Sequence, residues 1–442
     1  MGHGLWAQMK HKTLFALLAV LAILSPGLAR SQQNPIQHIV VIFQENRTPD
    51  NLFHDPVLIA AGADIASSGL NSKGQIIPLK PISLATNYDL RHGHLAFLNQ
   101  YDNGLMDGTD KNPASCIKGA KFCPPSNPGF KYVKAGDVAP YFQMAEQYVF
   151  ADRMFQTNQG DSFPAHQFII SGTSAPTADS DLLALSNPLG LPHAISQTGC
   201  KAPTNEFVFM IDPLGVWTKQ YPCFDHPTLT DLLDNQGISW RYYTPTAGSI
   251  WTGPNAISHI RFGPAWSNVI MKPTQVLTDI SKGRLPAVSW VIPIWWESDH
   301  PGSPVSLGPS WVASIVNAIG ASPYWNNTAI FITWDDWGGW YDHVAPPIIS
   351  SYAYGFRVPL VIISPYAKQG YVSHVQHDFG SILKFTEKVF GLPSLGYADA
   401  KADDLSDCFD LLHWHAFRRI QAPHDANYFL HTPLPVIGPD DD

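Results

Sequence analysis

Residues 334–347 read WDDWGGWYDHVAPP and set two carboxylates, Asp335 and Asp336, side by side at the end of an apolar run. Only 14% of the chain is charged, and adjacent carboxylates repel unless a cation or a proton offsets them. A second polar group has the same setting: HIVVIF at 38–43 runs into Gln44, Glu45, Asn46 and Arg47. Glu45, Asn46, Asp335 and Asp336 offer only oxygen, which suits Mg²⁺, Mn²⁺ or Ca²⁺ and is also accepted by Zn²⁺. In the competing reading, the aspartates cap a loop and Glu45 pairs with Arg47.

Ser162 stands in a Gly-Asp-Ser-Phe-Pro turn ahead of a helical stretch. A helix N-terminus stabilises phosphate, and a serine there can act as a nucleophile. An ordinary N-cap is the commoner use of such a serine. No G-x-S-x-G elbow surrounds it, so a hydrolase of that type is unsupported. A serine beside a metal needs no elbow. His300 in ESDHP and His343 in WYDHV each follow an aspartate, and His92 lies in YDLRHGHLAF. Such imidazoles can hold a phosphoryl oxygen or protonate a leaving alkoxide.

The elements that must carry these groups are short buried strands at 38–43, 287–292, 329–334 and 358–363, rich in β-branched residues. Between them the pattern predicts helices over 309–320, with Trp311, Ile315, Val316 and Ile319 on one face, and over 378–391, from Asp378 as N-cap to Gly391. A compact helix at 227–237 precedes a strand-like ISWRYYT. This alternation predicts an α/β fold with a mostly parallel sheet, whose ligands bind beyond the carboxyl ends of the strands. The stretches 54–135 and 175–225, rich in Gly, Pro, Asn and Ser, read as insertions that cap the site without forming a separate sheet. The expected organisation is one domain over 33–435.

Residues 1–29 have the layout of a secretory signal peptide: Lys10 and Lys12, an apolar LFALLAVLAIL, then small residues to Ala29. An uncleaved membrane anchor is the alternative. The expected location is therefore secreted or periplasmic. A net charge of −9 argues against a nucleic-acid partner. In an oxidising compartment the short separations and loop-like surroundings favour disulfides Cys116–Cys123 and Cys200–Cys223, leaving Cys408 over.

Together the segments HIVVIFQENRTPDNLF, DNGLMDG, GDSFPAHQFIISGTS, SDHP, WDDWGGWYDHVAPP and GFRVPLVIISPYA resemble the bacterial phosphoesterase family that joins non-haemolytic phospholipase C enzymes with acid phosphatases. The resemblance covers most of the chain beyond the signal segment, from HIVVIFQENRTPDNLF to GFRVPLVIISPYA. It implies an alkaline phosphatase-like three-layer α/β sandwich and a divalent metal ion held by Glu45, Asn46, Asp335 and Asp336. It also implies a nucleophile at Ser162 that approaches the metal, with His92, His300 and His343 around the phosphate. The sequence departs from the family at the nucleophile turn, where Ala165 and His166 replace the usual Asn-Arg, and at Asp336-Trp337 in the late motif. The implied substrate is a small phosphorylated molecule or a phospholipid, with transient contact to a membrane surface. A phosphatase acting on monoesters is the alternative within enzymes. A non-catalytic secreted binding protein is the alternative outside them.

Overall fold

A computed structural model describes Met1 and residues 34–189 and 197–436. The signal segment expected at 1–29 lies outside the described residues apart from Met1. Residues Ile36–Asp442 cluster as one unit, built on a sheet of eight strands: β1 (His38–Gln44), β2 (Val149–Ala151), β3 (Trp240–Tyr243), β4 (Val269–Ile270), β5 (Val288–Val291), β6 (Thr328–Trp334), β7 (Leu360–Ile363) and β8 (Tyr371–Ser373). Their spatial order is β4-β3-β5-β1-β6-β7-β2-β8.

All neighbours run parallel except β7, which is antiparallel to both β6 and β2. The four strands expected from apolar runs are present. β2, β4 and β8 are two or three residues long, too short for periodicity to show them.

β1 and β6 lie beside one another at the centre, with His38 opposite Thr328 and Gln44 opposite Trp334. Every residue of β6 is buried, as a sheet covered on both faces requires. The register also makes the next residues, Glu45 and Asp335, neighbours. Because side chains alternate between faces, Glu45 shares its face with Phe43, and Asp335 shares that face with Thr333 and Phe331.

Four helices mark the two outer layers: α1 (Ala135–Gln147), α2 (Ser162–Ser171), α3 (Gly308–Gly320) and α4 (Phe379–Phe390). α2 and α4 pack together. They cover the Phe43 face, where Phe43 meets the rings of His166 and Phe379 at 4.8 and 5.3 Å and Phe331 meets Phe385 at 5.2 Å. α1 and α3 pack together, and Tyr141 of α1 meets Trp334 edge-on at 5.2 Å on the opposite face. The helix over 309–320 buries Trp311, Ile315, Val316 and Ile319 as its spacing predicts. Asp378 caps α4 through the Ser381 amide, and Gly391 ends it at φ +65°.

One expectation is corrected. The stretch 175–225 does form a small sheet, Leu183–Ala184, Val208–Ile211 and Trp217–Gln220, all antiparallel. The stretch 54–135 holds two-stranded ribbons at 68–78 and 88–116, and a third pairs 80–82 with 131–133. Gly and Pro punctuation hides strands this short. Cys116–Cys123 and Cys200–Cys223 are bonded, and Cys408 is unpaired and buried. Among the described residues no helix is long and apolar enough to cross a membrane.

Candidate metal and phosphoester site

The sheet delivers its two polar groups to one place. The ladder between β1 and β6 continues past the strands, since Asp335 N donates to Gln44 O at 3.0 Å. Arg47 N then donates to Asp336 O at 2.9 Å. Asn46 adopts the left-handed conformation at φ +63°, which Asn tolerates better than most residues. Its amide N–H thereby reaches Asp335 Oδ1 at 2.9 Å, and that oxygen also accepts from Asp336 N at 2.8 Å. Gly338 and Gly339 let the following turn close over this group. Both have positive φ, and a Cβ at Gly338 would meet Asn46 O at 2.4 Å while one at Gly339 would meet Leu90 Cβ at 2.6 Å. The second of these contacts brings in His92.

Tautomer logic fixes the polarity around His92. Its Nδ1 is 2.7 Å from Leu90 O, which can only accept, so Nδ1 carries the proton. Nε2 therefore accepts from Asn46 Nδ2 at 2.7 Å. Asn46 Oδ1 is then turned elsewhere, buried and without a hydrogen bond. His92 Nε2 also lies 3.7 Å from Asp336 Oδ2. The His300 ring is 6.0 Å from that of His92 and packs on Trp295 at 4.6 Å. Its Nδ1 donates to Pro301 O at 2.6 Å, which leaves its proton chemistry to Nε2.

On the other side of Glu45 stands His166, which the sequence reading quoted only as a departure from the family pattern. His166 Nε2 is 3.3 Å from Glu45 Oε1, and its Nδ1 is 3.3 Å from Tyr242 Oη. Tyr242 gives its own proton to Trp251 O at 2.8 Å, so His166 Nδ1 must donate. A neutral His166 then turns a lone pair towards a carboxylate oxygen. Burial holds His166 down at about 4, against an opposing pull from Asp335. The spacing could have revealed it, because His166 follows Ser162 by four residues and shares its helix face.

Ser162 opens α2 and is 2% exposed. Asp161 Oδ2 accepts from Asn187 N at 3.0 Å, while Asn187 Oδ1 accepts from Phe163 N at 2.9 Å. The Ser162 turn thus abuts the segment carrying His92: a Cβ at Gly93 would stand 3.5 Å from Asp161 Oδ1.

Glu45 Oε2, Asn46 Oδ1 and Asp335 Oδ2 are buried and make no hydrogen bond. Arg47 does not offset them. Its guanidinium turns to Asp299 O, Leu84 O and Asn51 Oδ1. Burial, then the charges of Asp335, Asp336 and Asp299, push Glu45 well above the usual carboxylate range. A carboxylate so placed holds a proton or faces a cation. Glu45, His166 and Asp335 each present a donor atom within 4.8 Å of the others. Three orphaned oxygens and an imidazole lone pair fit a divalent ion.

His343 does not join this group. Its Nδ1 is 2.7 Å from Asp50 Oδ2 and its Nε2 is 2.9 Å from Asp64 Oδ1. Burial opposes its charge, but Asp50 and Asp342 outweigh it and raise His343 to about 9. Both ring nitrogens are committed to carboxylates. The expectation that His343 attends the phosphate is replaced by an ion-pair role.

A mostly parallel sheet between helical layers, with an acidic group at the carboxyl ends of its central strands, defines an α/β protein with a candidate cation site there. A model of the Phosphoesterase family matches residues 36–393, and the chain belongs to that family. The non-hemolytic phospholipase C of Pseudomonas aeruginosa is 25% identical over 434 residues, 85% of this chain and 57% of the relative. Phospholipase C B of Mycobacterium tuberculosis is 25% identical over 428 residues, 85% of this chain and 78% of the relative. The chain thus spans little more than half of the Pseudomonas relative. Among solved structures, an alkaline phosphatase superfamily protein from Vibrio parahaemolyticus matches 84% of this chain and 71% of its own, at 13% identity and a TM-score of 0.39.

Proposed function

We propose that the protein is an exported, metal-dependent hydrolase of phosphoric esters, of the phospholipase C kind, with Ser162 as nucleophile. The observation that carries this reading is the set of buried oxygens, Glu45 Oε2, Asn46 Oδ1 and Asp335 Oδ2, left without hydrogen bonds beside Asp336. The phospholipase C names of the relatives support the ester class. The two disulfides support export.

A divalent ion bound there would offset phosphoryl charge and favour the ionised serine. Glu45, Asn46, Asp335 and Asp336 would hold it, with Ser162 at the start of α2 approaching it. Ser162 Oγ passes its proton to solvent and attacks phosphorus as the bond to the departing alkoxide breaks. His300, as the imidazolium, gives that alkoxide its Nε2 proton, and His92 holds the Asn46 side chain in place. Water then hydrolyses the phosphoserine and releases Ser162. The same residues serve a phosphomonoester, so the choice between ester types lies with the pocket walls.

The test is a panel of phosphomonoesters and phosphodiesters, assayed before and after exhaustive chelation with metal content measured alongside. Turnover of at least one ester class is expected, with loss on chelation and recovery on adding a divalent ion. Undiminished turnover by protein shown to be metal-free would remove the cation from the reaction. No turnover of any ester by the metal-loaded chain would favour a binding protein.

A further inference from the structure

The sheet ends at β8, and a second buried set of metal-binding side chains joins that edge to the loop 402–410. His377, Asp407 and Cys408 each present a donor atom, all within 4.8 Å of one another. His377 Nε2 is 3.7 Å and Cys408 Sγ 3.4 Å from Asp407 Oδ1. Tetrahedral zinc, with bonds of roughly 2.0–2.3 Å, holds its ligand atoms about 3.3–3.7 Å apart. Two edges of such a tetrahedron are already at that spacing.

The imidazole supplies an independent observation. His377 is fully buried, and its Nδ1 lies 3.0 Å from Asp403 Oδ1. That contact is off hydrogen-bond geometry, so Nδ1 makes no hydrogen bond. Because Ser373 gives its proton to Asp407, the ring proton sits on Nε2 facing Ser373 Oγ, and the Nδ1 lone pair is left against Asp403, an arrangement that is costly unless a ligand at Nε2 sends that proton to Nδ1. An ion at Nε2 would leave Nδ1–H facing Asp403, the carboxylate–histidine–metal relay that orients ligating histidines. Ser373 Oγ stands 3.2 Å from Nε2 and donates to Asp407.

We propose that His377, Asp407 and Cys408 form a second cation site, separate from the Glu45 group, for a borderline ion such as Zn²⁺. Nitrogen, oxygen and sulfur donors together disfavour Mg²⁺ and Ca²⁺. When the metal–sulfur bond forms, the Cys408 proton passes to solvent. The Asp403 and Asp407 side chains, 32% and 21% exposed, provide the entry route. The site clamps the loop 402–410 to the edge of the sheet and to the start of α4, since Asp378, its N-cap, follows His377.

The chemistry of the cysteines makes the test clean. Four of the five are in disulfides, so Cys408 is the one thiol in the chain. Cobalt(II) added to chelator-stripped, full-length protein should produce a thiolate-to-cobalt charge-transfer band that saturates within two equivalents, one for each site. Zinc should bleach it. The band should survive Asp335→Asn and vanish in Cys408→Ser, and Asp403→Asn should weaken cobalt binding about 10–100-fold. The wild-type spectrum decides the matter even if a variant fails to fold. No band at saturating cobalt, or a band that persists in Cys408→Ser, overturns the site. Neither result depends on whether the Glu45 group hydrolyses esters.

Discussion

Asp335 and Asp336 leave β6 on the same loop that supplies Asp342 and His343 a few residues later, yet the two pairs meet opposite electrostatic fates. Asp342 is answered by a fully buried Arg357, whose Nε reaches it at 2.9 and 3.2 Å and whose Nη2 reaches Asp50 at 3.3 Å. Arg357 also donates through Nη1 to Asp64 O and Asp152 O. His343 adds a second cation between Asp50 and Asp64. Glu45, Asn46 and Asp335, buried to the same degree, have no arginine or lysine hydrogen-bonded to their side chains among the described residues. One cluster is neutralised from within and fixes the loop. The other keeps its oxygens oriented and short of positive charge, as a site for a cation requires.

The largest expected consequence falls on turnover. Ser162→Ala should lower kcat by several orders of magnitude, as loss of a nucleophile does. Metal content should be little changed, because Glu45, Asn46, Asp335 and Asp336 remain. A chiral phosphorothioate ester should hydrolyse with retention in the wild type, from two successive displacements. Inversion, or near-normal turnover by the alanine variant, would give the attack to water.

Stability should separate the two clusters next. Arg357→Met strands Asp342 and Asp50 in the interior and should cost about 3–5 kcal/mol in denaturant unfolding. Asp335→Asn removes a buried, uncompensated charge, so metal-free variant protein should be no less stable than metal-free wild type. Its stabilisation by added divalent ion should shrink. If Asp335→Asn destabilises the metal-free chain as much as Arg357→Met does, the contrast between the clusters is wrong.

The smallest effect is on pH dependence. His343 titrates at about 9 in the folded protein, above its ordinary value of 6.5. A raised folded value stabilises fully below 6.5, and the contribution fades as pH rises through about 9. Wild type should therefore lose its stability advantage over His343→Gln between about pH 6.5 and 9, as read from unfolding midpoints across that range. A constant difference would show that folding does not raise the His343 value.

The central strands were legible because burial on both faces demands continuous apolar runs, and β1, β5, β6 and β7 carry them. Asp335-Asp336 and Glu45-Asn46 stood out because charge directly after such a run is rare. His166 was visible in principle from its helical spacing to Ser162. Nothing in one sequence weighted it above the other histidines. His343 was misassigned because sequence adjacency to Asp342 suggested a site, whereas its partners are Asp50 and Asp64, far away in the chain.

The amino-acid sequence by itself determined the long central strands, the helices over 309–320 and 378–391 and the disulfide partners, since each follows from local pattern or short separation. Tertiary structure alone decided which charges meet. Arg357 reaches Asp50 across 307 positions and Asn46 reaches Asp335 across 289. Such pairings follow strand order and register, which no local periodicity records. Whether a buried carboxylate finds an arginine or is left for a metal ion is therefore settled only when the sheet assembles.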